Sequence, residues 1–234
     1  MSDWKPRRFW KTAEAAEIEG GFTVLLDGRQ AKTPLKSPLV MPNRGMAEAA
    51  AAEWAAQEGD VDPMSMPVTR SVNSAIDKVA PQRAEVAAML AGYGDSDLLC
   101  YRADKPAELV ERQQAQWDPA LDWAAETLGA RLESRVGVMH RPQAPEALQA
   151  LSDRVQRMEV FRLTGFHDLV ALSGSLILGF AAALDWRAPE EIWRISRLDE
   201  LWQAEQWGDD DEAEALAEAR RQAFLHAKRF HDMA

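Results

Sequence analysis

Three carboxylates are placed where they could trade protons with a substrate: Asp97, Asp199 and Glu200. General acid–base work of that kind needs a concave apolar pocket and a raised pKa, and spacing alone supplies neither. Adjacent helical residues point about 100° apart, so neighbouring acids seldom share one site. The pairs Glu190-Glu191 and Asp199-Glu200 therefore read as surface charge, and the run Asp209-Asp210-Asp211-Glu212 as a solvated loop ahead of the last helix. Arg197 precedes Glu200 by three residues, the spacing of an i, i+3 ion pair on a helix. Such an exposed pair is worth under about 1 kcal/mol, too little to single out the position by stability. A carboxylate-dependent enzyme and a binding protein without turnover are both open at this point.

Other chemistries lack their residues. A phosphate-cradling Gly-rich loop followed by Lys and Ser/Thr does not occur, and Gly92-Tyr93-Gly94 runs into Asp95-Ser96-Asp97, whose charges would repel a pyrophosphate. The histidines His140, His167, His226 and His231 have no metal-ligand spacing. His167-Asp168 is expected to open the most apolar helix, with the acid on its N-terminal dipole. Cys100 is the single cysteine, which excludes an intrachain disulfide and a thiolate metal cage, and no G-x-S-x-G elbow is present. No cofactor and no metal are expected.

The elements that must position these groups change character along the chain. Phe22, Val24 and Leu26 form an alternating strand pattern ahead of Asp27-Gly28, a two-residue hairpin signal, with a return strand over 29–33 and a short strand near 39–41. From Asn43 the period becomes helical: Met46, Ala50 and Trp54 recur every four residues, with Trp54 facing inward and a stop at Gly59. Helices follow over 68–79 and 81–90, the second led by Pro81 and closed by Gly92 and Gly94. Beyond Pro106 the pattern is helical throughout, with breaks at Asp118-Pro119, 129–142, 185–189 and 208–211. One helix is read over 189–206, with Ile192, Trp193, Ile195, Leu198, Trp202 and Trp207 on its apolar face. The expected fold class is α+β: a small mixed N-terminal domain, residues 1–104, and an all-helical C-terminal domain, residues 105–234.

Composition narrows the partners. Hydrophobic residues are 47% and charged residues 28%, the balance of a folded soluble chain. A formal charge of −11 opposes binding to a phosphate backbone, so nucleic acid is not an expected partner. The longest apolar stretch, 169–184, is interrupted by Ser173, Gly174, Ser175 and Gly179 and falls short of the roughly 20 residues of a membrane span. A buried core helix is expected there, with Ala171, Ser175 and Gly179 letting a neighbour approach closely. The start, without an apolar signal core, suggests a cytoplasmic bacterial protein or a processed organellar one.

Several strings together resemble one family. They are 24–29 (Val-Leu-Leu-Asp-Gly-Arg), Lys32-Thr33-Pro34, Glu53-Trp54, 73–77 (Asn-Ser-Ala-Ile-Asp), 100–104 (Cys-Tyr-Arg-Ala-Asp), 113–123 around Trp117-Asp118-Pro119, 167–178, 196–200 (Ser-Arg-Leu-Asp-Glu), Gln203 and Trp207-Gly208. In this combination and order, the chain resembles the assembly chaperones that bind the alpha subunit of the F-type ATP synthase. The resemblance implies a two-domain holdase without catalysis that covers the free alpha subunit until the beta subunit replaces it; a monomer is the default expectation. It implies a functional glutamate at Glu200, with Asp199 as second choice; Arg197, which can pair with Glu200 by spacing, completes the expected partner-binding residues. Trp54 and Trp117 read as core. Eukaryotic relatives follow the Trp-Gly pair with an acidic and aromatic tract, whereas 209–214 is acidic with Ala213, so no role of that tract carries over.

Overall fold

The computed structural model describes residues 7–208 and 211–234. The chain forms two compact units: the described residues of Met1–Arg83 with Val160–Thr164 and Asp232–Ala234, and Ala84–Glu159 with Gly165–His231. The change of period near residue 104 falls inside the second unit.

In the first unit, β1 (Ala13–Ile18) pairs antiparallel with β2 (Gly21–Leu26), Ala13 opposite Leu26 and Ile18 opposite Gly21, and β2 pairs with the two-residue β3 (Arg29–Gln30). Asp27 and Gly28 turn the chain with φ of 47° and 78°, the double left-handed geometry that the sequence signal demands. The Asp27 carboxylate accepts the backbone N–H groups of Lys11 and Thr12 at 2.9 and 2.8 Å, which hold its pKa below the ordinary range. The expected strand near 39–41 is a single bridge, Phe22 opposite Met41. Gly21 has φ +149°, and a Cβ there would lie 2.4 Å from the Met41 carbonyl oxygen, so glycine is required for the bridge to close.

Helix α1 (Arg44–Ala55) starts where Asn43 accepts the Met46 N–H at 3.0 Å, and it packs on β1 and β2 through the fully buried Met46, Ala47 and Ala50. It ends at Ala55, short of Gly59. Trp54 is half-buried, edge-on to Trp10 with ring centroids 5.0 Å apart. Glu53 then caps α2 (Pro67–Ser74), accepting from the N–H groups of Val68 and Thr69 at 2.7 and 2.8 Å. A π-helical turn, Ala75–Val79, and a tight turn holding Pro81 lead into α3 (Arg83–Gly92), so the two expected helices form one run of helical turns.

The second unit is built around α7 (Leu176–Ala183), whose residues 176–182 are all buried, as expected for a helix that is apolar on every side. Around it lie α4 (Ala107–Trp123), α5 (Pro145–Gln156), α6 (Val160–Ser173, its second half in this unit), α8 (Pro189–Ser196), α9 (Leu198–Trp207) and α10 (Asp211–Met233). The strands β4 (Tyr101–Arg102) and β5 (Arg135–Val136) pair parallel, so this region is not entirely helical.

Several expectations are corrected here. The stretch 169–184 is two helices, because Gly174 takes a left-handed conformation that ends α6 and Ser175 caps α7. His167-Asp168 lies in the middle of α6, the ring nitrogen 2.8 Å from the carboxylate, and opens nothing. Gly179 does permit a close approach, since a Cβ there would meet Val170 at 2.6 Å, but Ala171 is exposed. Pro119 does not break α4; burial of Trp117, Ala120 and Leu121 along the same face outweighs one lost backbone hydrogen bond. The helix read over 189–206 is α8 and α9, divided at Arg197 (φ −103°, ψ 14°). Of the acidic run, Asp209 and Asp210 lie outside the described residues, while Asp211 and Glu212 belong to the first turn of α10.

Candidate partner-binding surface

The three candidate carboxylates have different fates. Asp97 is wholly buried at the start of a tight turn, Leu98–Cys100, and accepts from the Leu99 N–H at 3.0 Å, the Ser175 hydroxyl at 2.7 Å and the Ile177 N–H at 3.0 Å. It thus fastens the N-terminus of α7, whose open N–H groups favour an anion. Burial pushes its pKa up to about 6, against the pull of those donors. No substrate can reach a carboxyl group enclosed in this way.

Asp199 and Glu200 stand in the first turn of α9, where the helix dipole also favours acids. Asp199 accepts from the Gln113 side-chain amide at 2.8 Å, and the same buried glutamine takes the Ala103 N–H on its oxygen at 2.8 Å. Asp199 is therefore committed to holding α9 on α4. Arg112, the preceding residue on α4, adds a second attachment: it pairs with Glu205 at 2.7 Å and lies over the Trp202 ring, 4.7 Å from its centroid. That guanidinium holds the Glu205 carboxyl below its usual range.

Glu200 is not committed in this way. Its side chain, 48% exposed, pairs among the described residues only with the nearby Arg197 at 2.7 Å, the i, i+3 pair expected from spacing, and Arg197 in turn rests against Trp193. Ile192, Trp193, Ile195 and Leu198 are buried as patterned, but Leu201 is 47% and Trp207 80% exposed, so Trp207 does not share the buried face. The outer side of α9 joins an available carboxylate to apolar surface. Gln113 and Arg112, which set the position of α9, were not singled out in the sequence; Gln113 opens one of the family-like strings, and that is the signal that could have found it.

Trp117, fully buried, donates its ring N–H to the Ile195 carbonyl at 2.9 Å and so ties α4 to the end of α8. Cys100 is buried and its thiol is pushed up to about 12, first by desolvation and then by the charge of Asp97, which leaves it unreactive. A groove of about 310 Å³ is lined by Ala91, Gly92, Asp95, Pro145, Leu148, Gln149 and Ser152, and none of Arg197, Asp199 and Glu200 borders it. Among the described residues no helix is long and apolar enough to cross a membrane.

Residues 7–125 match the family model described as ATP12 chaperone protein, just over half of the chain. The crystal structure of Atp12 from Paracoccus denitrificans is 49% identical in sequence, covers 98% of this chain and 99% of its own, and superposes with a TM-score of 0.95. This chain belongs to the ATP12 chaperone family. Its members are assembly chaperones of the F-type ATP synthase. A second Paracoccus Atp12 structure, of a mutant in which one aspartate is replaced by lysine, matches at 48% identity and a TM-score of 0.95 over 99% of each chain. The mitochondrial protein atp12 of Schizosaccharomyces pombe is 24% identical over 222 residues, 90% of this chain and 76% of its own length.

For an ATP12 chaperone the geometry divides the family-like strings by direction. Gln113, Trp117 and Asp199 within them, and Asp97 outside them, are bonded inward and maintain the fold. Glu200 and Trp207 are turned outward on α9, beyond the stretch that the ATP12 family model matches but within the part that the Paracoccus structures cover.

Proposed function

We propose that this ATP12 chaperone binds the free alpha subunit of the F-type ATP synthase head and keeps it from aggregating until the beta subunit takes its place. The observation that carries the reading is α9: a half-exposed Glu200 beside exposed Leu201 and Trp207, on a helix already fixed by Asp199–Gln113 and Arg112–Glu205. A helix held rigid in this way loses little entropy on docking. An unassembled subunit exposes an apolar interface large enough to aggregate, and an acid set in apolar surface gives such docking a preferred register.

Glu200 is the group that meets the partner in this reading, Arg197 orients it and Asp199 supports the helix. The chaperone acts as a monomer and without turnover, in the cytoplasm of a bacterium. The enzyme alternative loses Asp97, which is enclosed, and gains nothing from the 310 Å³ groove, which Asp199 and Glu200 do not line.

Light scattering of purified alpha subunit at an aggregating temperature, with equimolar chaperone, tests the reading; the same assay with beta subunit tests its specificity. Suppression for alpha and not for beta is expected. Aggregation of alpha that proceeds unchanged would overturn it.

A further inference from the structure

Far along the chain from α9, within the second unit, the loop 134–142 has a rigid base and a bare tip. Buried Gln143 closes the base: its side-chain oxygen accepts the Glu133 N–H at 2.8 Å and its amide donates to the Glu133 carbonyl at 3.0 Å. The Gln143 N–H itself is held by Asp95 at 2.7 Å. On one limb β5 pairs with β4, and the Gly137 N–H reaches the Arg102 carbonyl at 2.9 Å. On the other, His140 bridges the Tyr101 hydroxyl and the Asp95 carboxylate, both at 3.3 Å. Arg135 folds back to donate to the carbonyls of Arg141 and Pro142.

Every one of these bonds fixes backbone or polar groups, yet the apolar side chains between them are left in water: Val136 is 68%, Val138 86% and Met139 79% exposed. Three large apolar exposures within four residues of a pre-ordered loop form a contact surface, because docking would bury them with little further loss of conformational freedom. Of the flanking arginines, Arg131 lies 3.9 Å from Asp122 and Arg135 3.3 Å from Glu133, whereas Arg141 stands exposed beside the apolar tip, in a chain of formal charge −11. That overall charge opposes both an anionic lipid surface and a second copy of the chain, whereas Arg141 suits a protein surface that sets a carboxylate beside an apolar strip.

We infer that the loop 134–142 is a second docking element of this chaperone, in which Val136, Val138 and Met139 enter an apolar strip beside a carboxylate on the client subunit. The inference rests on the alpha-subunit reading above for the identity of that client. The loop lies outside residues 7–125, the stretch matched by the family model.

The test is calorimetric titration of purified alpha subunit with the full-length wild-type chain, with a Val138→Asp/Met139→Asp double variant and with Glu200→Lys. Because both loop side chains are exposed, the double variant should keep the wild-type melting temperature and circular dichroism while losing at least about tenfold in affinity. Arg141→Glu should lose less, with a weaker dependence on salt. Wild-type binding with an unchanged affinity for the folded double variant overturns the loop and leaves the Glu200 surface standing. Wild type that does not bind alpha overturns the alpha-subunit reading, and this one with it. Sedimentation showing a wild-type dimer that the double variant abolishes, or flotation with phosphatidylserine vesicles that it abolishes, assigns the loop to self-association or lipid and also overturns the inference.

Discussion

Asp97 and Glu200 are both carboxylates close to a helix N-terminus, and they do opposite things. At the start of α7 the acid is enclosed, with both oxygens taken by donors from two stretches of chain about 80 residues apart. At the start of α9 the acid is half in water and has one local partner that a side-chain rotation could release. A charge becomes part of the architecture when its donors come from distant segments, and it remains available to a partner when its single donor is three residues away. The same contrast separates Trp117, bonded inward, from Trp207, exposed two turns along from Glu200.

If that division is right, substitutions on the inward side should cost folding and those on the outward side binding. Trp117→Ala removes a fully buried ring and its hydrogen bond, and should cost about 3–5 kcal/mol, read as a large drop in the urea midpoint. Asp97→Ala orphans the Ser175 hydroxyl and two backbone N–H groups and should cost about 2–4 kcal/mol by the same measurement.

Asp97 also carries a pH signature. Its folded pKa of about 6 lies above the unfolded value of 3.8, so its contribution is fully present below pH 3.8 and is lost as pH rises through 6. That shift corresponds to about 3 kcal/mol. The stability gap between wild type and Asp97→Ala should accordingly narrow between pH 4 and pH 6.5. A gap that widens over this interval would show that the donors outweigh burial. Glu218, held down to about 2 by Arg221 and Gln222, acts in the other sense, its contribution being lost as pH falls below the usual carboxylate range.

Outward, Glu200→Lys should change folding stability by no more than about 1 kcal/mol, the scale of an exposed pair and a first-turn acid, and weaken alpha-subunit binding. An unfolded mutant by circular dichroism, or a folded one with unchanged binding, would break the comparison at its central point. The smallest effect concerns Cys100, whose thiol should resist a thiol reagent at neutral pH in the native chain and react once the chain is unfolded in urea.

What could be read in advance was whatever rests on local chemistry. Asp27-Gly28 turns because of its own backbone preferences, the period becomes helical from Asn43, whose side chain the structure shows to be the cap, and Arg197–Glu200 pair because a helix brings them together. The breaks at Gly174 and Arg197 were harder. Gly174 lies between two serines inside a stretch whose small residues also suit a single closely packed helix, and at Arg197 neither glycine nor proline marks the division of α8 from α9. Pro119 misled in the other direction, its local penalty being overridden by burial of its neighbours.

The parallel pairing of β4 with β5 joins two-residue strands more than 30 residues apart and leaves no period to detect. Likewise, the compact units draw in 160–164 and 232–234 from far along the chain, a return that composition does not mark. Of the candidate surface, Glu200 was singled out through the resemblance and Arg197 through its spacing from it. That Asp199 is already occupied depends on Gln113, 86 residues earlier, and only the folded arrangement displays it.

The exposure of Trp207 also makes the molecule its own optical probe. Of nine tryptophans, Trp10, Trp117 and Trp193 are buried and Trp207 is open to solvent, close to the proposed contact. Iodide should quench Trp207 while leaving the enclosed indoles bright, and a client seated on α9 should shield it. Fluorescence could then follow capture and release in real time, without a label.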